Sequence, residues 1–337
     1  MMTDNRVSSI SPEFLNDVTD LTNLRREFGP FKGRFIWNTS SKWLDQLSEV
    51  VETDPNTTEM QLQKARGVLE AFKQEGYLLD IDYGLLNEEE WLQATNKAIE
   101  KGATFEFIVH AHEKNEPTSS IAWNDLFDNL ADPLTQKTSW EIKGSLFEYR
   151  EALTPLTLNA NALYLIDPYL NPLKTPHGGL DLLLEVVSLA KNSKRCFEIH
   201  LLTTSSGLPK DFQPTESTFA VFQEQLKAEF SSKLRGGMKL MWHLLWDDSK
   251  SRSRSSDYFG MHDRFFLTDK GGLELSKGFF VRDPQNKRDE VLNIRYLEAS
   301  SYKDKFERYV RRLTTTSGTQ NRIGNRRIER FLVMPDA

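Results

Sequence analysis

Cysteine is nearly missing from this sequence: Cys196 is the single one in 337 residues. One thiol cannot close an intramolecular disulfide or build a thiolate zinc site, so the fold must rest on its core, and a reducing, cytoplasmic setting is the expectation. Long apolar runs are missing too. None approaches the roughly 18 residues that a membrane span needs, and the polar N-terminus has no signal-peptide pattern. No span is therefore expected, and with no convincing cluster of metal ligands no cofactor is expected either. An excess of positive charge is also absent. The net charge of −6 argues against a general nucleic-acid binder.

What is present suits a folded, two-domain chain. A hydrophobic content of 38% and a charged content of 27% are globular values, and the length allows two domains and a substantial core. The charge is unevenly spread. Between Lys305 and Arg330 eight cations face only Glu307 and Glu329, a local +6 that leaves −12 for the remainder. Such an end can be a phosphate-binding surface or simply a solvated helix face and tail.

Residues 1–30 read as a frayed lead-in. Gly33–Trp37 reads as a short strand, Lys42–Glu52 as a helix capped by Ser40-Ser41, and a helix from Thr57-Thr58-Glu59 to about Gln74 buries Leu62, Ala65, Leu69 and Phe72 before Gly76 stops it. Asn87-Glu88-Glu89-Glu90 opens another helix that ends at Lys101-Gly102, and Thr104–His110 alternates as a strand. His110-Ala111-His112 has the spacing of two metal ligands on one strand face, but no third ligand accompanies it. Strand-end polar residues near a loop are the simpler reading. Helical patterns surround Trp123–Leu130 and Trp140–Leu153, and Pro155–Asn161 reads as a connection. The expected division is residues 1–157, an N-terminal mixed (α+β) domain; 158–315, an α/β domain; and 316–337, a basic tail in which Ile323–Met334 adds one short element.

From Ala162 strands and helices alternate, the pattern of an α/β domain. Leu163–Ile166 is a near-continuous apolar run ending in Asp167-Pro168-Tyr169, which turns the chain toward a ligand face. Gly178–Lys191 is a helix, Phe197–Leu202 a strand, and Ser217–Leu234 a helix with Phe219, Phe222, Leu226 and Phe230 as its buried stripe. Met238–Trp246 is a third strand, and Lys250-Ser251-Arg252-Ser253-Arg254 is a basic loop.

The chemistry concentrates in Met261-His262-Asp263-Arg264-Phe265-Phe266-Leu267-Thr268-Asp269-Lys270-Gly271-Gly272. On a strand His262, Arg264 and Phe266 share one side, Phe265 and Leu267 the other, and Asp269 lies past the end. An imidazole and a guanidinium side by side suit a phosphate: one attacks phosphorus while the other neutralises its oxygens. His-x-(Lys/Arg)-x4-Asp before a glycine turn resembles the signature of the phospholipase D superfamily, over residues 160–313. The wording is similar to that of bacterial PLD-like proteins and of PLD-like domains attached to some eukaryotic MIT proteins, and Asp167-Pro168-Tyr169 is similar to their opening strand end. Arg264 stands where most catalytic members carry lysine, and Gly278 where an asparagine follows the small polar Ser276.

The resemblance implies a PLD-like mixed sheet flanked by helices, without a metal. It also implies His262 as nucleophile, Arg264 as phosphate clamp, and Asp269 as the residue that fixes tautomers and hydrogen bonds. Ser276, Lys250, Arg252 and Arg254 would add phosphate contacts, and Asp167, Tyr169, His177 and Asp263 would line the site. One motif supplies one histidine, so a complete site needs a homodimer pairing two His262 side chains, or one of His110, His112, His177, His200 and His243 as acid. His200 and His243 lie within apolar strands and read as core histidines. The implied function is a phosphodiesterase acting on nucleic acid or another phosphodiester, conceivably in bacterial defence. The alternatives are a non-catalytic module binding a phosphate-containing ligand, or a subunit of a larger complex docked through residues 1–155. A buried ion network of His262, Asp263 and Arg264 is the bland reading of the same motif.

Overall fold

The computed structural model describes residues 7–12, 18–32, 34–39, 42–55, 57–81, 90–101, 103, 105, 108–110, 121–122, 139–158, 160–174, 179–193, 195–209, 212–247, 264–279, 281, 291–311, 322–323 and 326–336. The chain forms two compact units, Met1–Thr138 and Ser139–Ala337. The expected division at 157/158 thus falls about twenty residues too late. Pro155 had suggested a connection, but it is carried inside a helix.

In the first unit β1 (Val7–Ile10), α1 (Val18–Glu27), β2 (Phe35–Trp37), α2 (Trp43–Thr53), α3 (Glu59–Gln74), β3 (Leu78–Leu79), α4 (Trp91–Glu100), β4 (Ile108–His110) and β5 (Ile121–Ala122) follow one another. The strands form one sheet in the order β3-β2-β1-β4-β5, and every neighbouring pair is parallel. Parallel neighbours must be joined by crossovers, so strands and helices alternate here as well. The first unit, read from the sequence as α+β, is α/β. Local signals set its helix ends. Thr58 and Gln61 form a capping box at the start of α3, and Gly76, at φ +78°, lets the chain turn out of it. Ile10, Ile36, Trp43, Leu69 and Phe72 are fully or almost fully buried in its core.

The second unit contains β6 (Ser139–Ile142), α5 (Leu146–Leu158), β7 (Ala162–Ile166), α6 (Gly179–Asn192), β8 (Glu198–Thr204), α7 (Glu216–Phe230), β9 (Lys239–Asp247), β10 (Phe265–Thr268), β11 (Gly272–Leu275), β12 (Leu292–Tyr296), α8 (Ala299–Lys305), β13 (Arg322–Ile323) and β14 (Arg326–Val333). A π-helical segment, Phe306–Arg311, continues α8. The strands make one nine-stranded mixed sheet, β13-β14-β9-β8-β7-β10-β11-β12-β6. Strands β7, β8 and β9 are mutually parallel, and the other neighbours are antiparallel. The expected α/β class, a mixed sheet flanked by helices, is what the unit shows.

Two expectations change for tertiary reasons. Trp140 belongs to β6, which pairs with β12, and not to a helix. The supposed basic tail contains β14, which pairs with β9 over its whole length from Arg326↔Asp247 to Val333↔Leu240. Ile328, Phe331 and Val333 are buried there. The arginines that made the segment look solvated share a strand that buries apolar side chains on both faces, Ile328 on the His243 side and Phe331 and Val333 on the Trp242 side.

The pairing registers sort side chains onto two faces. Phe265↔Ile166, Tyr164↔His200 and Leu202↔His243 place Tyr164, His200, His243, Phe265 and Leu267 on one face. Leu165, Leu201, Trp242 and Phe266 lie on the other. The crossovers β7-α6-β8 and β8-α7-β9 put α6 and α7 on this second face, where Phe222 packs on Trp242 and Phe331, and Phe219 on Trp246. Phe219 and Phe222 are half-buried in these ring contacts, while Leu226 and Phe230 are fully buried. Phe306 and Tyr309 cover the first face against Tyr164 and Phe265. Phe265, Phe266 and Leu267 are all completely buried, so the motif strand is covered on both sides.

Candidate functional site

Arg264 stands immediately before β10, beside the carboxyl end of β7, where the next residue in register is Asp167. Its Nε lies 3.9 Å from Asp167 Oδ1. Its Nη1 donates to the Ser276 carbonyl at 3.5 Å, and the guanidinium carbon sits 5.2 Å from the centre of the Tyr169 ring. No protein acceptor among the described residues takes Nη2.

Asp167 is only 2% exposed. Its Oδ1 accepts the Tyr169 N–H at 2.9 Å and its Oδ2 the Phe279 N–H at 2.7 Å. Burial pushes its carboxyl above the ordinary range, and these amides and the Arg264 charge pull against that shift. Gly278 makes the packing possible. It has φ +89°, and a Cβ there would stand 2.5 Å from Arg264 Cδ and 2.6 Å from Asp167 Oδ2. The sequence signalled this only as a departure, a glycine where the resembled motif carries asparagine. Tyr169, by contrast, is 46% exposed and forms the solvent side of the arrangement.

The structure thus brings Arg264, Asp167, Tyr169 and Ser276 together, though Ser276 contributes its carbonyl. The Ser276 hydroxyl instead accepts the Asn293 N–H of β12 at 3.0 Å. Asp269 is not part of this group. It lies at the opposite end of β10, five residues and roughly 17 Å along an extended chain from Arg264. There its two oxygens accept the Asn161 backbone N–H at 2.8 Å and the Asn161 side-chain amide at 2.6 Å. That carboxylate ties the start of β7 to the end of β10. Asp269 and Arg264 therefore stand at opposite ends of β10, and the relation of Asp269 to His262 lies outside the described residues.

His262, Asp263, His177, Lys250, Arg252 and Arg254 lie outside the described residues, as does His112; of His110 only the backbone is described. His200 and His243 are described, and they occupy the face opposite Arg264 and Asp167. Neither can protonate a group held at Arg264. They form a relay of their own. Lys239 Nζ lies 2.6 Å from Glu198 Oε1, Glu198 Oε2 lies 3.1 Å from His200 Nε2, and His200 Nδ1 lies 3.1 Å from His243 Nε2. Burial lowers both imidazoles below their ordinary value. His243, also facing the His200 and Arg330 charges, falls to about 3. The sequence reading as core histidines holds, with one addition: His243 Nδ1 is buried without a partner.

Chemically, Arg264 can take an anion through Nη2, with Asp167 a nearby countercharge and the Ser276 carbonyl accepting from Nη1; its Nε is buried without a hydrogen-bond partner among the described residues. It cannot donate a proton. No group of three or more potential metal-ligating side chains is assembled among the described residues, and no helix there is long and apolar enough to cross a membrane.

No family model matches this chain, and no curated protein matches it. Among solved structures, TrmBL2, an archaeal chromatin protein with a novel mode of DNA binding, aligns with 87% of this chain and 97% of its own at 12% identity. The TM-score of 0.23 is too low to carry any argument about fold or function.

Proposed function

We propose that the second unit binds and cleaves a phosphodiester, of the nucleic-acid type, in the manner of the phospholipase D superfamily its motif resembles. The observation that supports this most is Arg264. Its guanidinium stands at the carboxyl end of β7 beside Asp167, Ser276 and Tyr169, and among the described residues no protein acceptor takes its Nη2. In this reading His262, two residues earlier, attacks phosphorus and forms a P–N bond as the P–O bond to the leaving oxygen breaks. Arg264 neutralises the equatorial oxygens through the step, and water then hydrolyses the phosphohistidine. Lys250, Arg252 and Arg254, in the loop before the motif, hold the flanking backbone, which makes binding salt-dependent. The leaving oxygen needs an acid. With His200 and His243 on the opposite face, that acid is the His262 of a second copy across a two-fold axis, or one of His110, His112 and His177.

The test is hydrolysis of bis-p-nitrophenyl phosphate and of labelled single-stranded and duplex oligonucleotides with EDTA present, paired with light scattering. Wild type should be a dimer and cleave. His262→Ala should lose at least about a hundredfold, the usual worth of a positioned acid–base or nucleophilic group, with its circular dichroism unchanged. A wild type inert on every substrate would remove the catalytic step.

A second reading, a phosphate-binding module without turnover, is favoured by one observation: the Arg264 charge is already opposed by the buried Asp167 carboxylate. It predicts that Arg264→Ala abolishes phosphate binding while His262→Ala leaves it intact.

A further inference from the structure

The phosphate clamp of that chemistry lies in the second unit, yet the first unit's sheet has the topology of a binding domain. Strands β2 and β3 extend to one side of β1, and the chain then crosses through α4 to place β4 and β5 on the other. The order therefore reverses between β1 and β4. In open parallel sheets the loops part at such a point and leave a crevice outside the carboxyl ends of the strands.

Side-chain bonds place α4 against β1, beside that point of reversal. Ser9 in β1 shares a 2.8 Å hydrogen bond with Thr95 in α4, and Thr95 donates to the Trp91 carbonyl at 2.8 Å. As a crossover helix α4 runs antiparallel to the strands. One turn back from Thr95, Trp91 therefore stands abreast of the end of β1, where Ser9 leads to Ser11 and the Ser11 N–H meets the Val109 carbonyl of β4 at 2.9 Å. Thr39 follows β2 by two residues at the same edge, and Ile10↔Val109 keeps β1 and β4 level there.

This edge holds hydrogen-bond donors with nothing to donate to. Trp91 Nε1 is buried without a partner in a residue 8% exposed, and the Thr39 hydroxyl is buried without one in a residue 2% exposed. No side chain caps the ten-residue α4. Buried polar groups are almost always satisfied, and two side-chain donors without a partner among the described residues, beside a helix N-terminus with no side-chain cap, point to an acceptor supplied from outside.

We infer that the first unit binds the phosphate of a nucleotide-sized ligand at the β1–β4 edge, held by Trp91 Nε1–H, the Thr39 hydroxyl and the N-terminal amides of α4. An indole N–H donates only, and a helix N-terminus carries partial positive charge, so the set selects an oxyanion. Ser11-Pro12-Glu13 follows β1 where a dinucleotide fold would place its glycine-rich turn. The anion is therefore gripped by the crossover helix and side chains, not by the loop after β1.

The test uses the full chain labelled with nitrogen-15 at tryptophan, with the Trp91 indole signal assigned from Trp91→Phe. Inorganic phosphate, AMP and ADP are titrated separately into the millimolar range. The Trp91 signal should shift saturably and more tightly for the nucleotides than for phosphate alone. Thr39→Val should weaken that binding about tenfold, the scale of one lost hydrogen bond to an anion. Arg264→Ala should leave the shift unchanged, because that side chain belongs to the second unit. A Trp91 signal unmoved by all three probes overturns the inference, as does a shift that survives Thr39→Val at full affinity or vanishes in Arg264→Ala.

Discussion

Replacing Gly278 by alanine tests whether Arg264 and Asp167 form one packed unit. The residue has φ +89°, and an L side chain in the left-handed region costs about 1–2 kcal/mol. The new methyl would also stand 2.5 Å from Arg264 Cδ, 2.6 Å from Asp167 Oδ2 and 2.7 Å from Arg264 Nε. Asp167 cannot retreat, because Phe279 and Tyr169 hold both its oxygens by backbone N–H groups. Arg264 must swing outward, and the buried carboxylate loses its cation, worth roughly another 1–3 kcal/mol for a partly exposed partner. The expected loss is therefore about 2–5 kcal/mol, read as a shift of the urea midpoint at constant slope. Gly236→Ala is the control: nothing lies within 4 Å of its added Cβ, so a change under about 0.5 kcal/mol is expected. The phosphate affinity of the second unit should fall along with stability. A Gly278→Ala protein as stable as the control, with its affinity intact, would refute the packing argument.

Asp269→Ala should destabilise by about 1–3 kcal/mol, through the lost Asn161 bonds, while leaving phosphate affinity within about twofold. An affinity loss without destabilisation would return Asp269 to the site. His243 makes acid stability steep. Its imidazole takes a proton near pH 6.5 when unfolded but only at about 3 when folded, so the unfolded state holds more protons in that window and stability falls as pH falls through it. Between pH 6.5 and 5 this amounts to roughly 2 kcal/mol, at about 1.4 kcal/mol per unit. His243→Phe should flatten the urea midpoint over that range relative to wild type, and an unchanged slope would contradict the buried assignment. Truncation before residue 322 should prevent the second unit from folding, since it strips β9 of one of its two partners and removes Ile328, Phe331 and Val333 from the core. Native-like circular dichroism and resistance to limited proteolysis in the truncated chain would show that β14 is dispensable.

Local features of the sequence were sufficient for the ends of α3 and the α/β class of the second unit, while Asp167 was named as part of the site only through the resemblance. Thr58 and Gln61 cap α3 through bonds three residues apart, and Gly76 ends it through its own φ; neither needs the rest of the chain. The alternation along the motif likewise set Arg264 and Phe266 on one side and Phe265 and Leu267 on the other, which the registers with β7 repeat. Strand neighbours were beyond its reach, because pairing joins residues far apart in the chain, as in Phe265↔Ile166, and the sequence carries only the period of each strand. Only the order β9-β8-β7-β10 sends His200 and His243 to the face away from Arg264, and only the length of β10 separates Asp269 from it. Tertiary structure also decided that a cationic C-terminal segment would be a strand: Ile328 buries on one face of the sheet and Phe331 and Val333 on the other, a placement that exists only once β9 is there to pair with it.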